Sequence, residues 1–230
     1  MTDPTYIIAT PKPWNLAEFE RVRASLPGRW RVATSPNELA AALAEEMPRY
    51  VFFPHWSHIV PKEIVDRHEC VCFHMTDVPY GRGGSPLQNL IERGHSETML
   101  TALRMTDVLD AGPVYAKRSL SLEGSAEDIF VRAGALIFEM IGWMVANEPE
   151  PEPQVGEPTI FARRKPHQSR LPDGADARRL YDHIRMLDAP GYPKAFAETA
   201  GWRLEFDRAT LEGDAVEARV IFTRIEGDGR

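Results

Sequence analysis

His74 closes the apolar run Cys70-Val71-Cys72-Phe73-His74, and Pro79, Gly81, Gly83 and Gly84 follow it. An imidazole at the end of a strand, beside a loop whose glycines let backbone approach a ligand, suits general-base work or charge stabilisation. Its candidate partner is Asp110, in the turn Asp110-Ala111-Gly112, since a carboxylate can tune an imidazole; the alternative for that segment is a plain turn. Strand alternation places Cys70, Cys72 and His74 on one face, with His55 and His58 nearby in sequence. Thiolate and imidazole bind zinc, but ligands at every second strand position rarely close a tetrahedron, and cysteines also suit a buried strand. No metal is therefore expected. Gly83-Gly84-Ser85-Pro86-Leu87 lacks the last glycine of a nucleophile elbow, so Ser85 is expected to cap a helix. A dinucleotide fingerprint would follow the first strand, where Pro11-Lys12-Pro13-Trp14 stands instead, and no Gly-Lys-Ser/Thr element occurs.

These side chains need a scaffold. Short apolar runs at 6–10, 30–34, 50–53, 70–73 and 98–105 read as strands, and helical spacing recurs at 14–26, 35–47, 61–67 and 87–92. Strands that alternate with helices and are apolar throughout predict an α/β fold: a Rossmann-like, mostly parallel sheet with helices on both faces. His74 then sits at the carboxyl end of a parallel strand, where open α/β sheets bind ligands. Ser125-Ala-Glu-Asp128 starts a long helix carrying Ile129, Ala133, Leu136, Ile137, Met140 and Met144. Residues 147–158, NEPEPEPQVGEP, read as an extended connector. Beyond it come a helix at 177–188 and a β-hairpin turning at Glu212-Gly213-Asp214. The expected organisation is a catalytic domain over 1–146, the connector over 147–158, and a small C-terminal appendage over 159–230 with a helix and a β-hairpin.

The 230 residues carry 27 Lys and Arg against 34 Asp and Glu, a net charge of −7, which argues against broad binding to a phosphate backbone. The two cysteines suggest no disulfide framework. No run of about 18 apolar residues is read as a transmembrane helix. The start, Met1-Thr-Asp-Pro4, lacks a basic region and an apolar stretch, so a cytoplasmic location is expected.

The stretch FHMTDVPYGRGGSPLQNLI resembles the signature loop of the 10-formyltetrahydrofolate-dependent formyltransferases, Asn-x-His-Pro-Ser-x-Leu-Pro-x-x-Arg-Gly, a small residue, then Pro-Ile. His74, Pro79, Arg82, Gly83 and Pro86 match it without gaps. Leu109-Asp-Ala-Gly112 resembles the family's Leu-Asp-x-Gly turn, and Ile59-Val-Pro-Lys-Glu-Ile64 a third element. The tail LYDHIRMLDAPGYPKAF at 180–196 looks like the start of the C-terminal region of sugar-nucleotide N-formyltransferases, and the short length with HMTDVPYGRGGSPLQNLIERG looks most like the subgroup acting on UDP- or dTDP-linked 4-amino-4,6-dideoxy sugars, including pseudaminic-type precursors.

The resemblance implies an enzyme with 10-formyltetrahydrofolate as cosubstrate and a UDP- or dTDP-linked amino sugar as acceptor, without nucleic-acid or membrane partners. It also suggests a homodimer. Rival readings are a methionyl-tRNA formyltransferase, a glycinamide formyltransferase, or a non-catalytic binding relative. The catalytic pair would be His74 and Asp110. The family's third catalytic group, an Asn two residues before the His, is Cys72 here. A thiol lacks an amide's donors and carbonyl, so His55, Trp56, Ser57 or His58 would have to substitute. The pterin would lie near Trp56, Ser57, His58, Ile59, Val60, Asp107 and Gly112. Arg82, Gly83, Arg163, Arg164, Lys165, Arg185 and Tyr192 would bind the acceptor, and Gly81, Gly83 and Gly84 would leave room for two substrates to meet.

Overall fold

The computed structural model describes residues 3–225. Contacts divide the chain into two compact units: 1–83, 98–120 and 130–161 form the first, and 84–97, 121–129 and 162–230 the second.

The first unit is built on a six-stranded sheet in the order β2-β1-β3-β4-β6-β7. The strands β1 (Thr5–Ala9), β2 (Arg29–Ala33), β3 (Tyr50–Phe53) and β4 (Cys70–His74) run parallel. β1, β3 and most of β4 are buried on both faces, which is why they read as unbroken apolar runs rather than alternating ones. The crossovers hold α1 (Pro13–Val22), α2 (Pro36–Glu45) and α3 (Lys62–Arg67). Ser35 caps α2 by accepting the Glu38 N–H at 3.3 Å. β5 is the pair Arg82–Gly83, which lies parallel to β8 (Ile160–Phe161).

β6 (Glu97–Arg104) departs from the parallel pattern. It runs antiparallel to β4, with Val71 opposite Arg104 and His74 opposite Thr101. β7 (Val114–Ser121) completes the sheet at its edge.

α5 (Ala126–Asn147) begins with the expected cap: Asp128 N–H donates to Ser125 Oγ at 3.2 Å, and Ser125 N–H to Asp128 Oδ2 at 2.9 Å. By length and composition this helix could cross a membrane, which the sequence reading did not flag. Here it serves the core. Ala133, Ile137 and Ile141 are fully buried, and the Phe138 ring packs 6.0 Å from Phe19. Gly134 allows close approach, since a Cβ there would lie 3.1 Å from Asn15 Oδ1.

Residues 148–158 form no helix and are fastened to the sheet. Glu152 and Val114 exchange main-chain hydrogen bonds at 2.9 and 2.7 Å. The Pro-Glu composition conceals this, because edge pairing uses the backbone and tolerates proline at alternate positions.

In the second unit, α4 (Pro86–Glu92) and α6 (Ala177–Arg185) accompany an antiparallel sheet in the order β11-β10-β9. The expected hairpin is β10 (Trp202–Glu212) and β11 (Ala215–Arg224), with Gly213 at φ +60° in the turn. β9 (Ala195–Thr199) was not foreseen, because Pro190-Gly-Tyr-Pro193 before it reads only as a helix stop. Ser85 also differs from expectation. It occupies the N-cap position of α4 at φ +50° without capping, and its Oγ accepts the Arg164 N–H at 3.1 Å instead.

Candidate active site

The first unit brings His74 and Asp110 together. His74 Nδ1 lies 3.5 Å from Asp110 Oδ2, and both side chains are about nine-tenths buried. The route differs from the expected one. Because β6 is antiparallel to β4, the loop after it starts beside Cys70, where Met105 N–H donates to the Cys70 carbonyl at 2.8 Å. It then doubles back along β4 to deliver Asp110 to His74, so the pair does not stand at two adjacent parallel strand ends.

Asp110 is held on several sides. Its φ of +53° is left-handed, a conformation that Asp tolerates better than most residues. Its Oδ2 accepts the Gly83 N–H at 2.9 Å. Its main-chain carbonyl accepts from Gln154 Nε2 at 2.8 Å.

His74 Nε2 lies 2.8 Å from the Gly81 carbonyl. A carbonyl only accepts, so Nε2 is the donor and carries a proton. Nδ1 then faces a carboxylate oxygen, and one further proton between them completes that contact. The contact lies in a largely buried position. Thr76 Oγ1 also donates to the Gly81 carbonyl, at 3.3 Å, and Thr101 Oγ1 donates to the Thr76 carbonyl at 2.8 Å.

Cys72, one strand repeat from His74, presents a neutral thiol. Burial first, then the Asp110 carboxylate, pushes its titration upward. It therefore offers no charge to the pair. Among the described residues no group of three His, Cys, Asp or Glu side chains is placed to hold a metal ion.

Gly81 and Gly83 stand close against β8. A Cβ on Gly81 would lie 2.8 Å from the Phe161 ring and from Thr76, and one on Gly83 2.5 Å from the Phe161 carbonyl. Their missing side chains let β8 pack against the loop. In the second unit a Cβ on Gly84 would lie 2.5 Å from Arg163 Cβ. Gly83 itself serves Asp110 through its N–H. Arg82 directs Nε and Nη2 to Gln154 Oε1, at 3.1 and 2.8 Å. Gly112 is buried, a Cβ there would collide with the Arg104 carbonyl, and its own carbonyl accepts from Gln154 at 2.8 Å. It shapes the turn, with its carbonyl engaged by Gln154.

The segment after β3 fits a flat heterocycle better. Ser57, His58 and Ile59 are exposed, Ile59 at 95%. No main-chain hydrogen bond joins residues 57–60 to another described residue. Trp56 and Val60 pack on the core cluster that contains Phe53, with Ile64, Cys72 and Met105 beside them. Trp56 Nε1 is buried without an acceptor among the described residues. An apolar wall beside unengaged backbone donors and acceptors is what a pterin ring needs. Asp107 is exposed on the returning loop.

His55 is a buried, neutral imidazole. Asn15 Nδ2 and Trp14 Nε1 donate to its Nδ1 at 3.1 and 3.5 Å, so the proton is on Nε2. Burial, then the Lys12 charge, lowers its pKa to about 4.

The remaining expected residues belong to the second unit. Arg163 and Lys165 are exposed. Arg164 pairs with Glu92 at 2.7 Å and donates to the Gln168 carbonyl at 2.6 Å. Arg185 is 4% exposed and donates to the Leu122 and Gly124 carbonyls at 2.6 and 2.9 Å and to Asp182 at 2.6 Å. Its guanidinium holds the chain together and is not open to a diphosphate. Tyr192 is half-buried, with its hydroxyl pushed toward the neutral form by burial.

Sequence reasoning missed Gln154 and Phe161. The signal for Gln154 was a glutamine within the Pro-Glu run.

An α/β fold with a mixed, mostly parallel sheet and a His–Asp pair beside its fourth strand defines a class that comparison with known proteins makes specific. Residues 5–128 match the formyl transferase family model, and the chain belongs to that family. Residues 166–223 match the model of the methionyl-tRNA formyltransferase C-terminal domain. A solved methionyl-tRNA formyltransferase from Clostridium thermocellum is 43% identical, covers 96% of this chain and 99% of its own, and superposes with a TM-score of 0.92. HypX from Aquifex aeolicus, solved with tetrahydrofolic acid, shares the fold at 16% identity and a TM-score of 0.72 over 89% of this chain and 37% of its own. A sugar N-formyltransferase from Shewanella sp. shares it at 14% identity and a TM-score of 0.70 over 91% and 98%. The chain spans 54% to 64% of the length of the first curated relatives it matches, which are methionyl-tRNA formyltransferases 26% to 30% identical to it.

Proposed function

We propose that this chain is an N-formyltransferase that moves a formyl group from 10-formyltetrahydrofolate to the amine of a nucleotide-linked amino-dideoxy sugar, as in surface-glycan or nonulosonic acid biosynthesis. The observation that carries the reading is the buried His74–Asp110 contact at 3.5 Å, made by residues that match the family's signature positions. The folate supplies a formyl group activated by its attachment to N10. The acceptor amine forms a bond to the formyl carbon, the bond from that carbon to N10 breaks, and one proton passes from the amine to N10. His74 and Asp110 hold that proton in transit, at Nδ1 and Oδ2. Burial keeps water from competing for it. The loop at 56–60 and exposed Asp107 are the pterin-binding candidates, and exposed Arg163 and Lys165 are the candidates for the diphosphate.

Electrostatics favours the sugar acceptor. Residues 166–230 hold 10 Lys and Arg against 12 Asp and Glu, whereas a tRNA backbone calls for a basic surface. A second reading, formylation of methionyl-tRNA, is favoured by the 43% identical relative of that name and by the match over 166–223. Incubation with 10-formyltetrahydrofolate and, separately, a UDP- or dTDP-4-amino-4,6-dideoxy sugar or charged initiator tRNA separates them by tetrahydrofolate release. Release with a sugar nucleotide alone is expected. Release with the tRNA alone transfers the assignment to the second reading, and release with neither removes both.

A further inference from the structure

Gln154 bridges two loops that the reaction needs. Its Oε1 accepts two hydrogen bonds from Arg82, at 3.1 and 2.8 Å, and its Nε2 donates to the carbonyls of Asp110 and Gly112, both at 2.8 Å. Every donor and lone pair of the amide is thereby engaged. Arg82 precedes Gly83, whose N–H reaches the Asp110 carboxylate, so the amide closes a ring of contacts around Asp110. The side chain is carried by a strap anchored two residues earlier, where Glu152 pairs with Val114.

We infer that Gln154 is a positioning residue for formyl transfer, which holds the Asp110 carboxylate against His74 by fixing both the Asp110 main chain and the Arg82–Gly83 loop. This inference rests on the proposed role of the His–Asp pair. No other residue type fits all four bonds. Glutamate keeps the Arg82 contact but turns a carboxylate oxygen toward two carbonyls, and methionine keeps only the length. A left-handed Asp110 without this clamp relaxes toward ordinary backbone angles and carries its carboxylate away.

The test uses the full chain with Gln154→Met, Gln154→Glu and Asp110→Asn. Formyl transfer gives kcat and the KM for 10-formyltetrahydrofolate, and ring 15N NMR of His74, assigned with His74→Gln, gives an independent signal without substrate. Both Gln154 variants should lose about 10- to 100-fold in kcat, the cost of misplacing a reacting group by about 1 Å, with KM nearly unchanged. In both, the His74 ring signals should move in the direction seen in Asp110→Asn. Unmoved ring signals in a folded Gln154→Met or Gln154→Glu variant overturn the inference, as does an unchanged kcat. If the wild-type chain releases no tetrahydrofolate with any acceptor, the functional reading fails while the NMR comparison still decides whether Gln154 holds Asp110 to His74. Should Gln154→Met fail to fold, Gln154→Glu, which retains the Arg82 contact, carries the same readouts.

Discussion

The Gly83 N–H donates to the Asp110 carboxylate at 2.9 Å, joining the glycine-rich loop to a turn 27 residues later in the chain. Gly83 stands at φ +106°, and a Cβ there would lie 2.5 Å from the Phe161 carbonyl. Gly83→Ala should therefore destabilise the fold by about 1–3 kcal/mol and lower formyl transfer together with it. Thermal unfolding measured beside turnover checks this; a variant as stable and active as wild type would show that the loop tolerates a side chain.

His74→Ala and Asp110→Asn should each reduce formyl transfer by about 100-fold or more, since each removes one side of the proposed proton path. The double variant should lose little beyond the worse single one, because the two groups act as a unit. Tetrahydrofolate release under saturating substrates is the measurement, and near-wild-type turnover in both single variants contradicts the assignment.

Burial raises the Cys70 thiol to about 12 and pushes Cys72 up as well. Only the thiolate reacts with disulfide reagents, so both cysteines should react at least about 100-fold more slowly in the native protein at pH 8 than in denaturant. Timed labelling with an aromatic disulfide gives the two rates. Equal rates would mean that the fourth strand is open to solvent.

His55 is lowered to about 4 by burial and the Lys12 charge, against an ordinary value of 6.5. Between those values the unfolded chain binds a proton that the folded chain refuses, so stability falls as pH drops from about 6.5 to 4. The loss attributable to this residue is on the order of 3 kcal/mol. Denaturant unfolding at several pH values should show it, and His55→Gln should flatten that part of the curve. A wild-type curve that is level across the window refutes the assignment of a buried neutral imidazole.

Much of the scaffold was legible from the chain alone. Strands buried on both faces must be apolar throughout, so β1, β3 and β4 announce themselves as Tyr6-Ile-Ile-Ala9, Tyr50-Val-Phe-Phe53 and Cys70-Val-Cys-Phe73. The caps at Ser35 and Ser125 and the turn at Gly213 follow local rules that need only neighbouring residues. That His74 and Asp110 meet was also legible, because a motif preserves its residues in order.

Tertiary structure decided what these residues do for one another. β6 pairs antiparallel to β4, and that direction sends the Asp110 loop back along β4. Gly81 and Gly83 are small because β8, some 80 residues later, lies against them. Arg185 reads as a free cation on a helix but ends among the carbonyls of Leu122 and Gly124. Gln154 reads as part of a linker and ends as the amide clamp on Asp110. In each case the partner is distant in sequence, and a residue's own neighbours carry no record of which backbone group will need its hydrogen bond.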